Sequence, residues 1–175
     1  IPVGEQTFRS KPQLAWEMIG RARENGVKYG WVGFDAFYGS VPWLLRAVAD
    51  SGDTFVADVR SNANFYLEDP APYRPRRRSA GRLTPQALQA RTEASTVGDF
   101  FAGAGAAQWR RVEIREADKG VIRVDACARR VWFWDGQEKQ AHCWWAVCVI
   151  DEASGDTKFF VSNAAEDTSL EELVR

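Results

Sequence analysis

Apolar positions in the first third of the chain fall into two alternating rhythms. Ser10 followed by Pro12, with Leu14, Ala15, Met18, Ile19 and Ala22 at helical spacing, predicts a helix that Ser10 caps and Gly26 closes. Residues 29–34 form a short apolar run and predict a strand. Ser40 and Pro42 open a second helix through Leu44, Leu45 and Val48, and Gly52 ends it before a strand over residues 54–59. The order helix, strand, helix, strand implies a right-handed crossover with the two strands parallel. Such a crossover sets Asp35, which directly follows the first strand, on the same rim of a sheet as the start of the second helix.

After Val59 the rhythm is lost. Residues 60–108 are rich in proline, arginine, glycine and alanine without a sustained period, and read as an excursion rather than a core element. The last third is β-rich, with strands expected at residues 109–116, 120–128, 130–134, 142–151 and 158–162. Ala117-Asp118-Lys119-Gly120 and Ala153-Ser154-Gly155-Asp156 are turn signals between such runs and predict antiparallel hairpins. The pattern divides the chain into a core segment over residues 1–60, a basic excursion over 61–108, a β-rich insertion over 109–157, and a return strand and incipient helix over 158–175.

Composition narrows the class. A chain of 175 residues with 45% hydrophobic content can bury a substantial core, and the net charge of −1 argues against a wholly basic nucleic-acid binder. Cys127, Cys143 and Cys148 are odd in number and lack CxxC spacing, and His142 is the one histidine. That set supports neither a disulfide framework nor a structural zinc site, and points to a reducing, intracellular setting. No apolar run is long enough for a membrane span, and no export signal opens the chain. A start at Ile1 and an end at Leu173-Val174-Arg175, which reads as a beginning helix, suggest a piece of a longer polypeptide.

Asp35 is the leading candidate for chemistry, because a carboxylate at the C-terminal end of a buried strand is held rigidly where α/β enzymes place metals and substrates. Asp58 reads as a strand-edge or strand-end residue. Residues 73–91 hold Arg74, Arg76, Arg77, Arg78, Arg82 and Arg91 without one acidic residue. These arginines either contact DNA phosphates, which a guanidinium fork suits, or keep a linker solvated. Trp109, Trp132, Trp134, Trp144 and Trp145 at strand spacing read as core or sheet-face residues, with base stacking or partner docking as the alternative. His142 has no ligand-like companion and reads as structural.

Three segments together resemble the catalytic core of DDE transposases of bacterial insertion sequences. They are Lys11-Pro12-Gln13-Leu14-Ala15, then Trp31-Val32-Gly33-Phe34-Asp35-Ala36-Phe37-Tyr38-Gly39, then Gly52-Asp53-Thr54-Phe55-Val56-Ala57-Asp58-Val59. The Asp-x-x-Tyr-Gly turn is the most specific part. Residues 159–170, from Phe159-Phe160-Val161-Ser162-Asn163 onward, resemble the strand and turn that precede the glutamate helix of those enzymes.

The resemblance implies a partial ribonuclease-H-like α/β core interrupted by a β-rich insertion. It also implies a two-metal site for Mg2+ or Mn2+, in which hard oxygen ligands hold ions roughly 3.5–4 Å apart at the entering and leaving oxygens of a phosphodiester. Asp35 resembles the second acidic residue of the triad. The implied activity is metal-dependent DNA cleavage and strand transfer at insertion-sequence ends. The implied partners are DNA and further copies of the chain, in a bacterial, cytoplasmic and nucleoid-associated setting.

Two parts of the family pattern are missing. No aspartate precedes Asp35, and Glu5, Glu17 and Glu24 fall in a loop or on the first helix. Glu171 and Glu172 fit a solvated first helical turn, where they favour the dipole, so neither takes the role of the third acidic residue. The chain alone is therefore expected to be inactive, with the other two ligands outside it. Two alternatives stand beside this one: a catalytically dead DNA-binding or interaction remnant of a transposase, and an unrelated α/β metal-dependent hydrolase pairing Asp35 with Asp58 or Asp125.

Overall fold

The computed structural model describes residues 8–75, 87–117 and 120–175. Helix α1 spans Lys11–Glu24 and begins with a capping box, in which Ser10 Oγ accepts from the Gln13 N–H and Gln13 Oε1 accepts from the Ser10 N–H. The helix turns Ala15, Trp16 and Ile19 toward the core and leaves Met18 exposed. Gly26 and Gly52 follow helices at φ 70° and 83°, left-handed values that glycine reaches without a Cβ clash. Arg23 pairs with Asp53 and also reaches Ser51, so the end of α1 is tied to the turn after α3, the Pro42–Asp50 helix.

Strands β1 (Val32–Phe34) and β2 (Phe55–Val59) pair in parallel, with Phe34 opposite Ala57. Between them lie α2, a single turn over Ala36–Gly39, and α3, which buries Leu44, Leu45 and Val48. The chain continues through β3 (Asn64–Phe65), β4 (Ser95–Thr96) and α4 (Val97–Ala102) to β5 (Arg110–Ala117), β6 (Gly120–Phe133), β7 (His142–Asp151), β8 (Thr157–Ser162) and α5 (Leu170–Val174). The main sheet runs β1-β2-β8-β7-β6-β5 and is antiparallel everywhere except at β1 and β2. Because β8 lies between β2 and β7, the β-rich last third continues the sheet that carries Asp35. Phe34, Phe55, Trp144 and Val161 accordingly share one core cluster. This mixed α/β architecture is compatible with a ribonuclease-H-like fold.

Four details differ from the sequence expectations. The first strand is three residues long rather than spanning 29–34. Ser40 follows α2 instead of opening α3, whose first turn starts at Pro42 after an N-cap, Val41, that makes no side-chain cap. The strands expected at 120–128 and 130–134 are one strand, because Arg129 does not break it. Arg130 donates to the carbonyls of Cys143 and Ala164 and stacks over Trp145, while Arg129 lies over Phe100. Finally, the stretch over 60–108 contributes to the core, with Phe65, Val97 and Phe101 buried against Cys127, Val131 and Cys148.

Asn163, just beyond β8, extends the sheet with its side chain. Its Oδ1 accepts from the Phe55 N–H at 2.8 Å and its Nδ2 donates to the Asp53 carbonyl at 2.8 Å. Asn163→Ala leaves both half-buried backbone groups unpaired, and its expected cost is about 2 kcal/mol in urea unfolding. A loss within about 0.5 kcal/mol, typical of a surface change, would contradict this bracing role.

Candidate active site

Asp35 terminates β1 and is the N-cap of α2, with extended backbone at φ −74° and ψ 175°. Its Oδ1 accepts the N–H groups of Phe37 at 2.9 Å and Tyr38 at 3.1 Å, so the carboxylate is fixed by the turn it starts. Oδ2 takes no hydrogen bond among the described residues. The local sequence makes this geometry compulsory: the turn closes at Gly39, where a Cβ would sit 1.9 Å from the Asp58 carbonyl oxygen and 3.5 Å from the Ala57 Cβ. α2 is thus pressed onto β2, and the Asp-x-x-Tyr-Gly spacing is the spacing of one capped helical turn with a glycine where the backbones touch.

The parallel register brings in a second carboxylate. Phe34 pairs with Ala57, so Asp35 and Asp58 occupy adjacent positions at the strand ends. Asp58 is exposed and lines an open cleft of about 630 Å³ with Ala36, Arg60, Asn62 and Lys158. Arg60 and Lys158 line the same cleft as Asp58, and neither makes an ion pair among the described residues, although the Lys158 charge also acts on Asp151. Sequence reasoning read Asp58 as a strand-edge or strand-end residue and left it level with Asp125 as an alternative partner of Asp35, because strand register is not written in a hydrophobic pattern.

The remaining candidates fall elsewhere. Asp125 lies on β6, separated from β1 by β2, β8 and β7, and is engaged by Arg111 at 3.1 Å. Glu172 closes the capping box of α5 by accepting from the Ser169 N–H at 3.0 Å, and the Ser169 hydrogen bonds hold its carboxyl below the usual range. His142 packs on Trp144 at 5.2 Å between ring centroids, and its Nε2 is buried without a hydrogen bond. Among the described residues no group of three or more His, Cys, Asp and Glu side chains could hold a metal ion. Of the five tryptophans expected on strands, Trp144 is buried and the others are partly so, with Trp109 just before β5 and Trp134 just after β6.

The basic excursion is closed at its base, where Tyr73 and Gln89 exchange backbone hydrogen bonds of 2.9 Å and Arg91 lies over the Tyr73 ring at 4.4 Å. Arg74 sits next to this bridge. Arg76, Arg77, Arg78 and Arg82 lie outside the described residues.

Compared with protein families, residues 1–121 match the model of the DDE superfamily endonucleases, a span that includes Asp35, its capped turn and the whole parallel strand pair. The chain belongs to the DDE superfamily endonucleases. The comparison with curated proteins gives no match. Membership places this chain among nucleases of the transposase type, for which DNA is the substrate and divalent metals are the general cofactor. Within this DDE endonuclease, Asp35 is held at the end of β1 by two backbone N–H groups. No helix among the described residues is long and apolar enough to cross a membrane.

Proposed function

We propose that this chain is the central catalytic segment of a transposase that cleaves and rejoins DNA at insertion-sequence ends, with Asp35 as one metal-binding carboxylate. The observation that carries this reading is the fixation of Asp35: one oxygen is locked by two backbone N–H groups and the other is left for a ligand. A carboxylate is a hard donor suited to Mg2+ or Mn2+. A bound divalent ion would supply charge neutralisation at the phosphodiester oxygens. In this reading the other ligands come from further segments of the polypeptide.

The open edge of β1 supports this. Nothing among the described residues pairs with that edge, and Met18, Tyr29 and Trp31 are exposed near it around a small apolar recess. A strand added there would end beside Asp35 and could carry a second carboxylate. The chain's own part in the reaction is to hold Asp35 rigid, to place Arg60 and Lys158 where they neutralise phosphates, and to present the basic excursion to the DNA backbone. Assembly as a homo-oligomer on two DNA ends belongs to the same reading.

The adjacency of Asp35 and Asp58 favours one second reading, a metal-dependent hydrolase that uses this pair alone. Cleavage assays separate the two. In the transposase reading the 175-residue chain by itself does not cut DNA, and Asp58→Asn in the complete polypeptide leaves cleavage largely intact. Metal-dependent cutting by the isolated chain, lost in both Asp35→Asn and Asp58→Asn, would establish the hydrolase instead.

The arginine segment gives a further test. Replacing Arg76, Arg77 and Arg78 together with alanine is expected to weaken binding to all DNA sequences alike and to flatten the dependence of affinity on salt, since each lost phosphate contact removes about one released counterion. An unchanged salt slope would remove the segment from the interface.

A further inference from the structure

The chain leaves β2 through a β-turn over residues 60–63, closed by the Ala63 N–H donating to the Arg60 carbonyl at 2.9 Å. Arg60 opens this turn and lines the cleft beside Asp58, Ala36 and Lys158. Its side chain is long and exposed, with many rotamers, so where the guanidinium can reach depends on how firmly the turn holds its backbone. We propose that α4 is the element that holds the turn, and that Gly98 is a positioning residue for the Arg60 guanidinium on the DNA backbone, an inference that rests on the DNA-cleavage reading above.

The first N–H groups of a helix have no partner inside it. In α4 two of them go to the turn: the Val97 N–H donates to the Ala63 carbonyl at 2.9 Å, and the Gly98 N–H donates to the Ser61 carbonyl at 2.8 Å. The next, that of Asp99, donates to the Thr96 hydroxyl at 3.1 Å, so the start of the helix is capped as it grips the turn. Close packing reinforces the two bonds. A Cβ at Gly98 would lie 3.1 Å from both the Cβ and the carbonyl oxygen of Ser61, nearer than ordinary contact. Glycine is a poor residue inside a helix, and this approach accounts for its place in α4.

α4 is itself fixed to the core. Val97 is wholly buried and Phe101 nearly so, packed with Phe65 on β3, Val131 on β6 and Cys148 on β7. β4 runs directly into α4 and pairs with β3, Thr96 opposite Asn64, so the turn is held from the strand that leaves it as well. The rim beside Asp58 thus takes its rigidity from the far strands of the main sheet. A cation supported in this way meets developing phosphate charge with little reorganisation.

The test is a double-mutant cycle on metal-dependent DNA cleavage by the complete polypeptide, comparing the parent, Gly98→Ala, Arg60→Ala and the two changes combined. The added methyl group displaces the turn by a few tenths of an ångström, and the expected loss in kcat/KM is about 5-fold. Arg60→Ala alone should lose at least as much, and in its background Gly98→Ala should cost nothing further. Adding Ser61→Gly to Gly98→Ala removes one of the two atoms closest to the methyl group and should restore part of the loss. Should Gly98→Ala fail to fold, Thr96→Val, which removes the cap of α4, must show the same dependence on Arg60.

An equal loss from Gly98→Ala with and without Arg60 would overturn the inference, since α4 would then support the fold at large and not the guanidinium. Full activity in either single variant would overturn it as well. Both results leave the DNA reading standing, because the parent still cleaves. A parent that does not cut DNA with a divalent metal would overturn both.

Discussion

Asp35→Asn is expected to lower metal-dependent DNA cleavage by the complete polypeptide by at least about 10³-fold while leaving the fold intact, because a metal ligand contributes several kcal/mol to the transition state alone. The asparagine separates two roles that Asp35 combines. As an N-cap it accepts from the N–H groups of Phe37 and Tyr38, and an amide oxygen does this about as well as a carboxylate. As a metal ligand it needs the charge that asparagine lacks. Urea unfolding of the variant should therefore lie within about 0.5 kcal/mol of the parent, whereas Asp35→Ala, which removes the cap too, should cost about 1 kcal/mol in addition to the activity. Retained cleavage in Asp35→Asn would mean that the residue is a cap and nothing more.

The second large effect is structural and opposes intuition from helix propensity. Gly39→Ala replaces a poor helix former by the best one inside α2, which taken alone favours the variant by about 1 kcal/mol. The added Cβ, however, would sit 1.9 Å from the Asp58 carbonyl oxygen and 3.0 Å from its carbonyl carbon. These are backbone atoms of a strand hydrogen-bonded on both sides, to β1 and to β8, so they cannot move aside alone. Overpacking of this kind costs about 3 kcal/mol, more than the propensity gain, and the strain is relieved by lifting α2 together with the Asp35 cap. The variant should lose stability in chemical denaturation and lose cleavage with it. Stability equal to or above the parent would show that α2 does not press on β2.

The parts of this site legible in the sequence are those that depend on local chemistry. The parallel pair, the capped turn at Asp35 and the strand His142–Asp151 follow from patterns of apolar residues and turn signals inside a short window. What could not be read depends on distant partners. Phe65 looked like loop because β3 and β4 are two residues each, too short to show a period, yet its ring packs on Phe100 and its side chain is wholly buried. Arg129 fell between two expected strands because its ring partner, Phe100, lies far away in sequence.

The choice between Asp58 and Asp125 as a neighbour of Asp35 was open for the same reason, since adjacency is a property of register, fixed by α2 pressing on β2 through Gly39. Tryptophans on strands point first to a core, and Trp144 does serve the core.

The most direct measurement of the central claim is paramagnetic broadening of backbone amide NMR signals as Mn2+ is added to the chain. If Asp35 is a metal ligand, the signals of Asp35, Ala36 and Phe37, together with Asp58 on the adjacent strand end, broaden first, and Asp35→Asn abolishes that broadening. Broadening that begins at the exposed carboxylates of Glu113, Asp125 and Glu152, with no change at the end of β1, would contradict the account.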